Sequence, residues 1–111
     1  MVHTMTIKAQ RIFENEVYRW PGVTRKKQLS RTRYYVNGRE FASIDGDFLI
    51  LSRVTPEDRK ILEQDWQAGP EIIGNKTIGF KIKIPFDTDS VIKLLPYVKN
   101  SYNHTSTWKG V

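Results

Sequence analysis

The chain has no cysteine and only two histidines, His3 and His104, both close to its ends. Without cysteine there are no disulfides, no thiolate nucleophile and no zinc–thiolate site. With so little histidine there is no His-x-x-x-His pair, and no Gly-x-Ser-x-Gly elbow occurs either. We therefore expect no catalytic residues, no metal ligands and no cofactor. Apolar runs are only a few residues long, Phe48-Leu49-Ile50-Leu51 among them, against the roughly 20 residues that span a bilayer. The opening residues also lack the basic, apolar and small-residue order of a secretion signal. A cytoplasmic location with no membrane partner is the expectation.

Acidic residues are in short supply as well. Twelve Asp and Glu face eighteen Lys and Arg, a formal charge of +6 on 111 residues. The 39% hydrophobic content is too high for a disordered chain and fits one domain with a modest core. The surplus is uneven. Arg25, Lys26, Lys27, Arg31, Arg33 and Arg39 lie in a stretch with no acid between Arg19 and Arg39. Such a stretch is either a solvated surface or a row of charge for phosphates, with Trp20, Tyr34 and Tyr35 near enough in sequence to offer stacking surfaces.

What is present in quantity is turn and strand chemistry. Thr32 to Val36, Arg39 to Ile44 and Phe48 to Ser52 are rich in aromatic and β-branched residues, as strands of a half-buried sheet are. They are joined by Asn37-Gly38 and by Asp45-Gly46-Asp47. Asn-Gly tolerates positive φ at both positions, as a type I′ hairpin turn requires, so the three strands form an antiparallel meander. Before it, Met5, Ala9, Ile12, Phe13, Val17 and Trp20 recur at helical spacing over residues 4–20, with Thr4 or Thr6 as cap and Pro21-Gly22 as stop. A short basic strand over 23–29 follows.

Thr55-Pro56-Glu57-Asp58 marks a second helix: a cap, a proline at the first helical position, and acids at the positive end of the dipole. It runs to about Trp66 and breaks at Gly69-Pro70. Ile78, Phe80, Ile82 and Ile84 alternate with polar residues in another strand. Asp87 caps a last helix carrying Val91, Leu94, Leu95 and Val98, in which Pro96 predicts a kink or an early end. Residues 103–111 read as a loose polar tail.

Smaller motifs read as structure. Asp45 and Asp47, with Glu40 on the preceding strand, are too few oxygens for a cation site and suit a hairpin turn. Gly74 to Lys81 has no lysine beside its second glycine and so reads as a turn entering a strand.

The order of elements, with the phrases Pro21-Gly22-Val23-Thr24, Tyr35-Val36-Asn37-Gly38-Arg39-Glu40-Phe41-Ala42 and Asp45-Gly46-Asp47-Phe48-Leu49, resembles a small bacterial and fungal family labelled "luciferase domain", of unknown function. The likeness runs from about Ile12 to Tyr102. More distantly the chain resembles the MmcQ/YjbR-like proteins, through Pro-Gly-Val-Thr, the Gly-Arg-Glu-Phe-Ala hairpin and Ser101-Tyr102. The second resemblance implies an α+β fold and a suggested DNA-binding role. Members of the first family often carry a His and a Trp around the strand over 77–84, where this chain has Ile78-Gly79-Phe80 and no His.

The resulting expectation is a single α+β domain over 1–111, with its core at about 5–102: one antiparallel sheet of about five strands with three helices mainly on one face. The predicted core is Ile12, Val17, Val36, Phe41, Ile44, Leu49, Leu51, Leu62, Trp66, Phe80, Ile82, Leu94 and Val98. The leading functional expectation is weak nucleic-acid binding through Arg25, Lys26, Lys27, Arg31, Arg33 and Arg39. The alternative is a non-enzymatic interaction or ligand-sensing module, or a homodimer, acting through an open sheet face on which Tyr34, Phe48 and Ile50 are exposed together.

Overall fold

The computed structural model describes residues 2–108, with side chains from Ile7 onward. The roles given to His3, Thr4, Met5 and Thr6, and residues 109–111 of the tail, lie outside the described side chains. The order is α1 (Val2–Val17), β1 (Val23–Gln28), β2 (Arg31–Val36), β3 (Arg39–Asp45), β4 (Phe48–Ser52), α2 (Pro56–Asp65), β5 (Gly69–Ile73), β6 (Lys76–Pro85) and α3 (Thr88–Ser106). All six strands form one antiparallel sheet in the order β1-β2-β3-β4-β6-β5. The α+β class is as expected, with one strand more. The extra strand is β5, which starts at Gly69-Pro70, the pair read as a breaker. An edge strand tolerates proline because one side of it makes no ladder bonds.

The turns follow their residues. Asn37 and Gly38 both have positive φ, 53° and 77°, and join β2 to β3 tightly. Thr55 caps α2 by accepting from the Asp58 amide, and Asp87 and Ser90 form a capping box on α3. Pro96 lies inside α3 without ending it, and the helix continues to Ser106. Part of the expected tail is therefore helical. Thr105 is buried, and Asn37 Nδ2 donates to the Ser106 carbonyl at 2.9 Å.

α1 and α3 pack on one face of the sheet, and α2 adds Leu62 to the same core. Strand alternation supplies Tyr34, Val36, Ala42, Ile44, Leu49, Leu51, Ile82 and Ile84 to that core. Ile12 and Trp66 are half-buried against it. Phe80 is the predicted core residue that leaves it, at 51% exposed. In β3 the register shifts so that Tyr34 faces Ala42 and Tyr35 faces Glu40, leaving Phe41 as a bulge. The bulge turns Phe41 inward against Trp20 and Tyr102, with ring centroids 6.3 and 5.5 Å away. Next to it, the buried Ser101 hydroxyl of α3 donates to the Phe41 carbonyl at 2.9 Å and also approaches the Ser52 carbonyl. One hydroxyl thus pins α3 to two neighbouring strands.

Under α1 lies a small polar cluster. The Tyr34 hydroxyl donates to Glu14 at 2.6 Å, and Gln10 Nε2 donates to Tyr34, Thr32 and Glu14. Tyr34 is fully buried. Burial first, and the Glu14 carboxylate second, push its hydroxyl far above the ordinary phenol range.

The sheet face away from the helices is not open. β2 and β5 are separated by three strands in the sheet order, which in a flat sheet would put them about 19 Å apart at the usual strand spacing. Yet Arg31 on β2 meets Glu71 on β5 at 2.8 Å. The sheet is coiled until opposite corners approach. The hairpin of β5 and β6 contributes to the bend. Glu71 pairs with Ile78 and Pro70 with Ile82, so Gly79, Phe80 and Lys81 are left over on β6. Beneath the closure Ile50 and Ser43 are fully buried and Ser52 is 1% exposed. The expectation of Tyr34, Phe48 and Ile50 exposed together is therefore corrected. Tyr34 points to the helices, coiling covers Ile50, and of the three only Phe48 reaches solvent.

Two outcomes follow. Arg31→Leu strands the buried Glu71 carboxylate and should cost about 3–5 kcal/mol in urea unfolding. Glu71→Leu leaves Arg31 its Asp45 contact and should cost less, and the double variant recovers most of the Arg31→Leu loss. Tyr34 keeps its proton in the folded chain above about pH 10, where the unfolded chain releases it. Stability should therefore be intact below that pH and fall as pH rises above it, with a shallower fall in Tyr34→Phe.

Candidate nucleic-acid interface

The six basic residues singled out by sequence are not brought onto one surface. Alternation along β1 divides its own three. Arg25 and Lys27 sit opposite Tyr34 and Thr32, on the helix side, and Lys26 sits opposite Arg33, on the coiled side. Arg25 bonds Glu14 at 3.0 Å, with its side chain still 47% exposed, and its guanidinium is raised above the ordinary range first by that hydrogen bond and then by the Glu14 charge. Lys26 and Lys27 are exposed, with no acidic partner among the described residues.

Arg31 and Arg33 are neutralised on the coiled face. Arg31 meets Glu71 at 2.8 Å and Asp45 at 3.3 Å. Burial alone would lower its guanidinium, but Glu71 and Asp45 outweigh that and the net shift is upward. Arg33 meets Glu40 at 2.7 Å, and Lys81 approaches the other oxygen of Glu40 at 3.4 Å. Asp45 and Glu40, weighed above as cation ligands, are thus ion-pair partners. No group of three metal-ligating side chains occurs among the described residues.

The stacking partners expected near the basic strand are not available. Trp20 and Tyr34 are buried in the core, and Tyr35 is half-buried. Exposed rings occur elsewhere. Phe80 and Trp108, at 51% and 42% exposed, border a groove of about 740 Å³ at the end of the sheet where β4 passes into α2 and α3 finishes.

Arg53 occupies the middle of that groove. Its guanidinium lies over the Phe80 ring at 5.4 Å and over the Trp108 ring at 5.2 Å, and it donates to the Glu40 carbonyl at 3.2 Å. Burial first, and the charge of Arg39 second, lower its guanidinium below the ordinary arginine range. Arg39, half-buried at the start of β3, is thus close enough to act on Arg53, and in the sheet register it lies two strands from Val23 of β1. The Arg53 backbone has φ 56°, and its amide donates to the Phe80 carbonyl at 2.7 Å, extending the β4–β6 ladder by one bond. Arg59 of α2 donates to the Gly79 carbonyl at 3.1 Å, and the His104 ring lies 3.4 Å from the Arg53 carbonyl.

Sequence reasoning missed this groove for identifiable reasons. Phe80 fits the inward phase of an alternating strand, but it falls on the β6 residues that have no partner in β5. Trp108 stands alone in a polar tail, and an isolated large aromatic there was the one available signal. Arg53 and Arg59 are separated from Phe80 and Trp108 in sequence and meet them only through the fold.

The fold and groove define an α+β domain with a coiled, six-stranded antiparallel sheet. Comparison of the chain with family models, with curated proteins and with solved structures finds no match.

The left-handed backbone at Arg53 yields a direct check. Arg53→Ala loses the ring contacts and keeps the conformational cost, whereas Arg53→Gly loses the contacts and removes that cost. The glycine variant should be the more stable by about 1 kcal/mol in urea unfolding.

Proposed function

We propose that this domain is a non-enzymatic nucleic-acid-binding module that contacts phosphates through the exposed edge strand β1. The observation that carries the reading is the state of Lys26 and Lys27: consecutive on the edge strand, one toward each face of the sheet, solvent-exposed, and without an acidic partner among the described residues. Arg25 beside them is half-exposed and shares its charge with Glu14. Arg31 and Arg33 are withdrawn from the footprint because carboxylates already neutralise them. The DNA-binding role suggested for the MmcQ/YjbR-like proteins agrees with this reading, and so does the chain's charge of +6.

Few free cations mean weak, sequence-independent binding that is sensitive to salt. Lysines on an edge strand also discourage edge-to-edge pairing of sheets, and a salt series separates the two roles. Fluorescence anisotropy with mixed-sequence single- and double-stranded DNA and RNA should show affinity falling with log salt, by about 0.9 log unit per duplex phosphate contacted. Charge reversal at Lys26 and Lys27 should flatten that slope. Equal affinity of the reversed variant, or no binding at low salt, would remove the proposal.

The interaction-module alternative keeps a smaller surface than sequence implied. Closure of the coiled face leaves Ile72 and Ile73 of the β5 edge as exposed apolar neighbours, at 57% and 55%. A homodimer, if one forms, would use that edge and not the sheet face.

A further inference from the structure

We infer that the groove between Phe80 and Trp108 is a binding site for one nucleotide unit, a base carrying a phosphate. The site is separate from β1, and the inference does not rest on the role proposed for that strand.

Charge gives the first argument. The groove is lined by Arg53 and Arg59, with His104 at its rim, and holds no carboxylate among its lining residues. Arg39 lies near enough for its charge to be felt at Arg53, where it outweighs the opposing charge of Glu40 outside the groove. Elsewhere in the molecule the arginines Arg25, Arg31 and Arg33 are each met by a carboxylate within 3.3 Å. Arg53 is held instead by rings and a carbonyl, and Arg59 by the Gly79 carbonyl at 3.1 Å, with Glu63 its nearest carboxylate at a loose 4.0 Å. A planar guanidinium with spare N–H donors is suited to phosphate oxygens. The groove therefore favours an anion.

The rings give the second argument. Phe80 and Trp108 present aromatic faces to the same space, and a planar group, the Arg53 guanidinium, already lies over both. A flat base is the ligand group that such faces accept, by stacking on a ring or on the guanidinium itself. Thr55 and Thr107 add hydroxyls to the walls. A volume of about 740 Å³ lies within the range of small-molecule sites.

A third observation is local strain. Arg53 is placed between the rings by a backbone with φ 56°, a conformation that disfavours residues with a side chain. The Phe80 carbonyl holds that backbone through the Arg53 amide, and the His104 ring abuts its carbonyl.

The shared chemistry can come from a free nucleotide or from the phosphorylated end of a strand. Calorimetric titration would use adenosine and uridine monophosphates, adenosine alone, ribose phosphate alone, and a short oligonucleotide with and without a terminal phosphate. The expected result is binding of a monophosphate about tenfold tighter than of ribose phosphate, the increment that one stacked base supplies, and tighter than of adenosine through the phosphate's bonds to arginine. Trp108→Ala and Arg59→Gln should each lose about that factor, and Trp108→Phe should restore part of it. A tighter terminally phosphorylated oligonucleotide would identify the strand end as the source, and a tighter monophosphate the free nucleotide. Charge reversal at Lys26 and Lys27 should leave monophosphate binding unchanged, so failure at β1 and failure at the groove are read separately. Ribose phosphate binding as tightly as the monophosphate, no effect of Trp108→Ala in a protein that keeps its circular dichroism, or no heat at millimolar ligand would each overturn the inference.

Discussion

The contact between Arg31 and Glu71 is the constraint on which much of the molecule depends. It joins β2 to β5 across a sheet in which three strands stand between them. An ion pair with Glu71 at 1% exposed and Arg31 half-buried contributes little net energy by itself because its attraction is offset by desolvation. Its weight lies in what its loss would cost and in the geometry it presupposes. Twist turns two opposite corners of the sheet toward each other, the unpaired β6 residues Gly79 to Lys81 let the hairpin bend, and the arginine bridges what is left.

Sheet pairing and that closure together redistribute the chain's charge. Glu40, Asp45 and Glu71 are drawn onto the coiled face, where they take up Arg31, Arg33 and Lys81. A basic stretch continuous in sequence becomes two exposed lysines on an edge strand, Arg25 paired with Glu14 beside them, two neutralised arginines, and Arg39 two strands away. Residues close along the chain are separated by alternation and by sheet pairing. Arg53, Arg59, Phe80 and Trp108, far apart along the chain, become neighbours.

The groove in turn depends on how α3 is seated. Ser101 donates to the carbonyl of the bulged Phe41, Tyr102 donates to the Pro21 carbonyl at 2.5 Å, and Asn37 holds the Ser106 carbonyl. These contacts carry the helix to the end of the sheet and bring Trp108 over Arg53. Small departures from regular structure therefore decide where the exposed rings stand: a bulge, a proline tolerated inside a helix, and a left-handed arginine.

The sequence by itself determined the local elements. Asn37-Gly38 specified a hairpin because both positions accept positive φ, Thr55-Pro56 and Asp87 specified helix starts because they satisfy free amides, and period-two and helical spacing named most of the core. These signals act within a few residues and can be read there. Tertiary structure decided the rest. Whether Ile50 faces water depends on coiling accumulated over six strands, and whether Arg31 is free depends on Glu71, forty residues further along the chain. Whether Phe80 is core or groove wall depends on which β6 residues find a partner. No local pattern encodes those outcomes, because each is a contact between parts of the chain that only the finished fold brings together.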